Sequence, residues 1–245
     1  MQLQEILYEQ GFGTRRVCAG LVQQGLVKVN GQGLDDPYAE FEPEIARDGL
    51  ELTVQGLEWI CHTPALIMLN KPAGYECSQK PSAWPSVYTL LPMPLRNRPS
   101  PTKKGATLGV QGIGRLDQDT TGLLLLTDDG QLIHKLASPK HHVPKVYEVG
   151  LKHVADKALA QRLLDGVRLD DEPKPVKAFA AELAAPQHLR LTLTDGKYHQ
   201  VKRMVAAAGN RVETLHRSQI GGLALPADLL PGQWRWLDEA QKLLL

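Results

Sequence analysis

Apolar residues recur along the chain with two periods, and the changes of period mark the elements. In "LQEILYEQ", Leu3, Ile6 and Leu7 fall at helical spacing and Gly11 and Gly13 follow, which predicts a helix that ends there. Thr14 stands where a cap belongs, ahead of a second helix, "RRVCAGLVQQ", that stops near Gly25. "LVKVNGQGL" alternates as a strand does and turns at Asn30-Gly31, a hairpin signal because both residues tolerate positive φ. Another strand, "LELTVQ", follows Asp48-Gly49. Residues 1–57 therefore read as a small helix, helix, strands module, with little core of its own and a need to lean on a neighbour. The next stretch, "GLEWICHTP", reads as a linker over 58–63 in which Trp59 can pack.

From residue 64 to 245 the pattern is longer and mixed. "ALIMLN", "GLLLLTDD", "KVYEVGL", "VKAFAAEL", "HLRLTLTD" and "VETLHRSQIG" read as strands. "SVYTLLP" reads as a short helix, and Asp128 or Asp129 with Gly130 makes the turn into a helix at "QLIHKLAS". "ADKALAQRLLDG" puts Ala155, Leu159 and Leu163 on one helical face and stops at Gly166, while "YHQVKRMVAAAGN" is a helix closed by Gly209-Asn210. Strand and helix alternate without a βαβ period or an internal repeat. The expected class is α+β, with a mixed, mostly antiparallel sheet flanked by helices rather than a doubly wound parallel one.

Composition narrows the partners. Apolar content of 42% fits a globular chain, and a net charge of +1 means that any polyanion site must come from charge arrangement rather than from the total. Charge is in fact uneven. From Cys77 to Leu116 there is no Asp or Glu, while Lys80, Arg96, Arg98, Lys103, Lys104 and Arg115 fall there; from Gly196 to Val212 only Lys197, Lys202, Arg203 and Arg211 are charged. The middle of the first segment, "RNRPSPTKKGATLG", reads as an exposed basic loop. Such stretches suit a nucleic-acid backbone, although basic loops also serve solubility alone. Cys18, Cys61 and Cys77 are scattered, with no C-x-x-C pair, which argues against a disulfide framework or zinc ribbon and for a reducing compartment. The N-terminus carries Glu5 and Glu9 where a signal peptide needs an apolar core, and apolar runs are too short to span a bilayer, so a cytoplasmic protein with no membrane partner is expected.

Several residue groups could carry chemistry. Asp117 and Asp119 stand directly before the run Leu123 to Leu126. Paired carboxylates can act at a sugar carbon, and they can equally be turn and capping residues before a strand. If "GKYHQVKRM" is helical, Tyr198 and Lys202 share a face, and a lysine there can hold a carboxylate ionised or simply be solvated. Tyr147 lies two residues after Lys145 on a strand and so shares its face. His141 and His142 are adjacent and lack metal-ligand spacing, and "GVQGIG" fits neither a P-loop nor a dinucleotide fingerprint, so neither a metal nor a nucleotide cofactor is expected.

The order of the blocks says more than any one of them. "LNKPAGYECS", "GRLDQDTTGLLLLTDDG", "KVYEV", "GKYHQVKRM", and "IGGLAL" with "LLPGQWRWL" resemble the successive motifs of the RsuA family of ribosomal RNA pseudouridine synthases. "GFGTRRVCAGLVQQGLVKVNGQ" resembles the S4-type RNA-binding module that precedes their catalytic domain, and the blocks "SPKHHVPKVY" and "GKYHQVKRM" are closest to the small-subunit (16S) branch. Gln2 and Gln4 depart from the charged opening usual in such modules, and the "RNRPSPTKKGATLGVQG" stretch is longer than its family counterpart.

The resemblance implies a monomeric isomerase that turns a uridine of ribosomal RNA into pseudouridine without cofactor or metal. It implies an S4-like module at 1–57 and a catalytic domain at 64–245. By carry-over Asp117 is the catalytic carboxylate and Asp119 a supporting group. Tyr147 stacks on the target base, Lys202 pairs with the aspartate, and Arg115 fills the gap that the displaced nucleotide leaves. Arg203 is a neighbouring RNA-binding candidate, and Arg15, Arg16, Lys103 and Lys104 would contact the RNA backbone. The alternatives are the same chemistry on large-subunit (23S) RNA, a non-catalytic RNA-binding or assembly factor, and, more remotely, a glycoside hydrolase using Asp117 and Asp119.

Overall fold

A computed structural model describes residues 1–99 and 109–245. At the N-terminus α1 (Leu3–Gln10) buries Leu3, Ile6 and Leu7 and ends at Gly11, whose φ of 91° is a left-handed cap that glycine adopts at no steric cost. Thr14 caps α2 (Arg15–Gln23) as predicted, its hydroxyl accepting from the Val17 N–H at 3.3 Å. The hairpin of β1 (Val27–Val29) and β2 (Gln32–Gly33) turns with positive φ at both Asn30 (48°) and Gly31 (79°), the signature of a type I′ turn. A short helix that the pattern did not predict, α3 (Pro43–Arg47), leads into β3 (Asp48–Val54).

The stretch read as a linker over 58–63 is a strand. β4 (Leu57–His62) pairs antiparallel with β3, and the sheet runs β2-β1-β3-β4. Trp59 and Cys61 alternate inward, and the Trp59 indole N–H donates to Gln10 Oε1 at 3.1 Å. Leu57 and Ile60 are apolar but exposed, so both faces carry apolar residues and the period of two is masked in the sequence.

The remaining strands form one nine-stranded mixed sheet. They are β5 (Leu66–Lys71), β6 (Gln111–Gly112), β7 (Thr121–Thr127), β8 (Lys145–Leu151), β9 (Ala180–Ala185), β10 (His188–Leu193), β11 (Val212–Ile220), β12 (Leu223–Ala224) and β13 (Trp234–Trp236). The main path runs β13-β5-β7-β11-β8-β10-β9, with β12 on β11 and β6 on β7. β7 and β11 are parallel, whereas β8–β10, β8–β11, β9–β10, β11–β12 and β5–β13 are antiparallel. The α+β class with a mixed, mostly antiparallel sheet is as expected. Leu123 to Leu126 are fully buried on β7, and all of β5 is buried, as central strands require. Helices α5 (Gly130–Ala137) and α6 (Lys157–Asp165) stand where the periodicity placed them, and α7 (Gln200–Ala207) lies within its expected stretch; α6 packs on β9 and α7 on β11. A 3₁₀ turn (Val87–Leu90), α4 (Met93–Asn97) and α8 (Glu239–Lys242) complete the elements. Among the described residues no helix is long and apolar enough to cross a membrane.

Contacts divide the chain into two compact units. One comprises Met1–Leu66, Leu91–Gln111 and Leu126–Gly130, the other Ile67–Leu90, Gly112–Leu125 and Gln131–Leu245. The first unit takes in two segments beyond the expected division near 57–64, and Arg98 joins residues of all three. Expected in an exposed basic loop, it is 1% exposed. Its Nε lies 2.5 Å from Asp128 Oδ2, and its Nη1 donates to Gln10 Oε1 at 3.0 Å. Its Nη2 donates to the His62 carbonyl at 2.5 Å. A buried guanidinium needs such a full set of acceptors, and a proline-rich local sequence shows none of them.

Candidate active site

The loop between β6 and β7 carries the first chemical groups. Leu116 is buried and anchors it, so that the neighbouring Arg115 stands exposed and Asp117 half-buried. The Thr120 N–H donates back to the Asp117 carbonyl at 3.1 Å, closing a turn. Lys71, fully buried at the end of β5, holds this turn from below. Its Nζ donates to the carbonyls of Thr120 at 2.8 Å, Pro72 at 3.0 Å and Gln118 at 3.2 Å. Burial pushes the Lys71 ammonium below its ordinary pKa, against the pull of Cys77, Asp119 and Asp117.

The start of β7 then needs a glycine. Gly122 has φ 102°, and a Cβ there would lie 2.3 Å from the Arg217 carbonyl oxygen, so the parallel pairing of β7 with β11 tolerates no side chain at this point. A second loop bounds the outer cleft. Backbone N–H groups of Ala83, Ser82 and Trp84 all donate to Glu76 at 3.0 Å, which holds its carboxyl down to about 2 and pins residues 76–84.

From the far side comes α7. It starts later than the pattern suggested, at Gln200, because His199 turns with a left-handed backbone (φ 47°). Tyr198 thus lies before the helix and does not share a helical face with Lys202. It is instead exposed and stacked on His199, with ring centroids 3.9 Å apart. Gln200 fixes the approach, accepting from the Lys197 N–H at 2.8 Å and donating to Asp195 at 2.7 Å.

Lys202 then bridges both aspartates. Its Nζ is 3.1 Å from Asp117 Oδ2, and 2.7 and 2.9 Å from the two oxygens of Asp119. His199 Nε2 lies 3.4 Å from the other Asp117 oxygen. Burial pushes Lys202 down, but its hydrogen bonds to Asp119 and Asp117 outweigh this and raise it. Burial likewise pushes Asp119 up, and Lys202 outweighs it, leaving Asp119 below its ordinary value. Asp119 is thus the closer partner of Lys202.

Position separates the two carboxylates. Asp117 lines a cavity of about 140 Å³ together with Arg115, Tyr147, Lys145, Lys202 and Arg217. Asp119 lines only the more open outer cleft, with Glu76, Cys77 and Tyr198. Tyr147 is 8% exposed in the wall of β8, on the same face as Lys145, as alternation predicts. The structure therefore brings Asp117, Tyr147, Lys202 and Arg115 together at one cavity.

Other expected residues fall elsewhere. Arg203 does not line the cavity or the cleft; it pairs with Asp171 and donates to the Tyr198 carbonyl at 3.1 Å. Its position one residue after Lys202 turns it to another side of α7. Arg15 is exposed on α2, 3.1 Å from Glu5 and stacked over Tyr8, and Arg16 is exposed beside it. Lys103 and Lys104 lie outside the described residues. His199, Lys71 and Arg217 were not anticipated, because their partners are far away in sequence. Only the absence of acidic residues around "GKYHQVKRM" hinted that its basic groups serve carboxylates elsewhere.

Comparison with known proteins gives this arrangement a context. Residues 65–207 match the family model described as RNA pseudouridylate synthase, and residues 1–44 match the S4 domain. The chain is 39% identical over 244 residues to ribosomal small subunit pseudouridine synthase A of Escherichia coli (strain K12), covering 98% of each chain. It is 37% identical to an uncharacterized RNA pseudouridine synthase of Bacillus subtilis (strain 168), covering 100% of this chain and 98% of the other. A solved structure described as a crystal structure of pseudouridylate synthase aligns over 100% of both chains, with 33% identity and a TM-score of 0.65.

Proposed function

The chain belongs to the RNA pseudouridylate synthases, and from that premise we propose that it isomerises a uridine of small-subunit (16S) ribosomal RNA, with Asp117 acting at C1′ of the ribose. The observation that carries this reading is the ion pair of Lys202 with Asp117 at the edge of a cavity walled by Tyr147. A carboxylate that acts at an anomeric carbon must be ionised, and an adjacent ammonium favours that form. Isomerisation replaces one C–N bond by one C–C bond with no net oxidation, so carboxylate, cation and aromatic wall suffice for it. Tyr147 offers a flat face for the extruded base, a contact worth roughly 1–3 kcal/mol. Arg115, exposed at the mouth, has the planar cation suited to stack in the space the nucleotide leaves. The S4 domain, with exposed Arg15 and Arg16, and the segment holding Lys103 and Lys104 supply phosphate contacts that position the RNA. A ribosomal RNA substrate fits a cytoplasmic protein, which acts as a monomer in this reading.

The test is release of tritium from [5-³H]uridine in small-subunit ribosomal RNA, offered as naked transcript and as assembling particle. Wild-type protein is expected to release label from one of them, and Asp117→Ala to reduce release by roughly 10⁴-fold or more. Release from large-subunit RNA alone would reassign the target, and no release from any ribosomal RNA would overturn the reading.

A further inference from the structure

Two buried polar atoms at the cavity have no hydrogen-bond partner among the described residues. Arg217, on β11, is 2% exposed; its Nε donates to the Leu123 carbonyl at 2.8 Å, but its buried Nη2 has no hydrogen-bond partner among the described residues. Thr120 is also 2% exposed, and its buried hydroxyl is likewise without a partner. Both residues line the cavity that holds Asp117 and Tyr147. Leaving a buried donor unmade costs about 1–3 kcal/mol, so two such groups in one small cavity indicate donors kept for a bound molecule.

The charge points the same way. Neither Arg217 nor Lys145 forms an ion pair among the described residues, and Lys145 spends its Nζ on the Val143 carbonyl at 3.0 Å. Burial pushes the Lys145 ammonium down, and the charge of Arg217 pushes it further, against Asp195. Two cations therefore share this part of the wall. A cavity of about 140 Å³ is roughly ten times what one water needs, and so holds a pyrimidine ring.

We propose that Arg217, with the Thr120 hydroxyl and the charge of Lys145, forms the subsite that binds the carbonyl oxygens of uracil and stabilises the ring as an anion once it is detached. The proposal rests on the isomerase reading. When the N1–C1′ bond breaks, its electron pair leaves with the ring, giving a uracil monoanion with charge spread over N1, O2 and O4. The deficit at C1′ falls to Asp117. When C5 bonds to C1′ that pair forms the new bond and the carboxylate is restored; the C5 proton then passes to solvent and N1 takes one up. A guanidinium offers only donors, so it suits both carbonyl oxygens and the anion, and it disfavours a ring presenting an amino group. Gly122 belongs to the same device, because its missing side chain lets the backbone of Arg217 approach β7 closely enough for the Leu123 carbonyl to aim the guanidinium.

The experiment measures single-turnover tritium release from [5-³H]uridine-labelled small-subunit ribosomal RNA by the full chain, with RNA affinity and melting temperature determined on the same proteins. Arg217→Met is expected to slow release at saturating protein by about 10²-fold or more while RNA affinity moves less than about threefold. Arg217→Lys should recover about a tenth of the wild-type rate, since it keeps charge but not the fork. Thr120→Val should slow release about tenfold while the melting temperature holds or rises, because a methyl replaces a hydroxyl that the folded chain leaves unpaired. That opposition of rate and stability is not what a structural role produces. Release within about threefold of wild type by Arg217→Met, or a loss that only tracks weaker RNA binding or folding, overturns the proposal. If Arg217→Met does not fold, Thr120→Val decides alone, and a normal rate overturns it. Absence of release by wild-type protein overturns the isomerase reading and the subsite with it; active wild type with equally active variants overturns only the subsite.

Discussion

At the scale of single residues the site is a problem in placing charge. Lys202 faces two carboxylates, with Nζ 3.1 Å from Asp117 and 2.7 Å from Asp119. The stabilisation from Asp119, whose folded value is lowered, is fully present above its ordinary 3.8 and is lost as pH falls through that lower value. The contribution of Lys202, whose folded value is raised, is fully present below its ordinary 10.5 and is lost as pH rises through the raised value. Both are intact at neutral pH. Asp119 is half exposed, so the pair adds at most about 1 kcal/mol of stability. Lys202→Met leaves Asp117 and Asp119 without the cation they share. The rate of tritium release at neutral pH should then fall about 10²-fold. A rate within about threefold of wild type would mean that Lys202 does not act on the site. Local sequence offered Asp117 and Asp119 as equals. Only the cavity separates them, because Asp117 shares it with Tyr147 and Asp119 does not.

At the scale of elements, what was readable depended on whether a pattern closes locally. The α1 stop at Gly11, the Thr14 cap and the Asn30-Gly31 hairpin each involve residues a few positions apart, and all three were legible. β4 was not, because Ile60 places an apolar side chain on its outer face, while Leu57, on the face of Trp59 and Cys61, is exposed. β13 was not either; its identity comes from pairing Trp234 with Leu69 and Trp236 with Ile67. Gly122 belongs to this second group. The sequence shows a glycine inside a strand pattern, while the reason for it is the Arg217 backbone on the parallel neighbour. Gly122→Ala combines a left-handed φ with a backbone collision, and is expected to cost roughly 3 kcal/mol or more by urea unfolding. Gly31 has open space around it and only its φ to satisfy, so Gly31→Ala should cost about 1 kcal/mol, and equal losses would refute the collision argument.

At the scale of the molecule, charge was legible as a total and misleading as a map. The stretch "RNRPSPTKKGATLG", in the middle of the basic segment, was expected to be an exposed loop, and its Arg96 does face solvent. Arg98, two residues later, is the buried centre that ties α1, β4, the segment after α4 and the end of β7 into the first compact unit. Arg98→Met strands Asp128, whose side chain is 9% exposed, and should lower unfolding stability by about 3–5 kcal/mol. Arg96→Ala should change it by less than about 0.5 kcal/mol. Similar small effects for both would show that the buried pair does not hold the unit together.

The sequence by itself determined the elements whose signals are local, the α+β class, the order of motif blocks and, through that order, Asp117, Tyr147, Lys202 and Arg115 as one set. It did so because caps, turns and periodicity involve neighbours, and because motif order survives without any knowledge of distance. Only the tertiary structure decided that Lys202 spans both aspartates, that His199 touches Asp117, that Arg98 is interior, and that Arg217 and Thr120 hold donors without partners in the cavity. Each of these depends on burial and on pairs brought together from distant positions. A sequence carries no dielectric and no distances until the sheet has been assembled, so those facts arise with the fold and not before it.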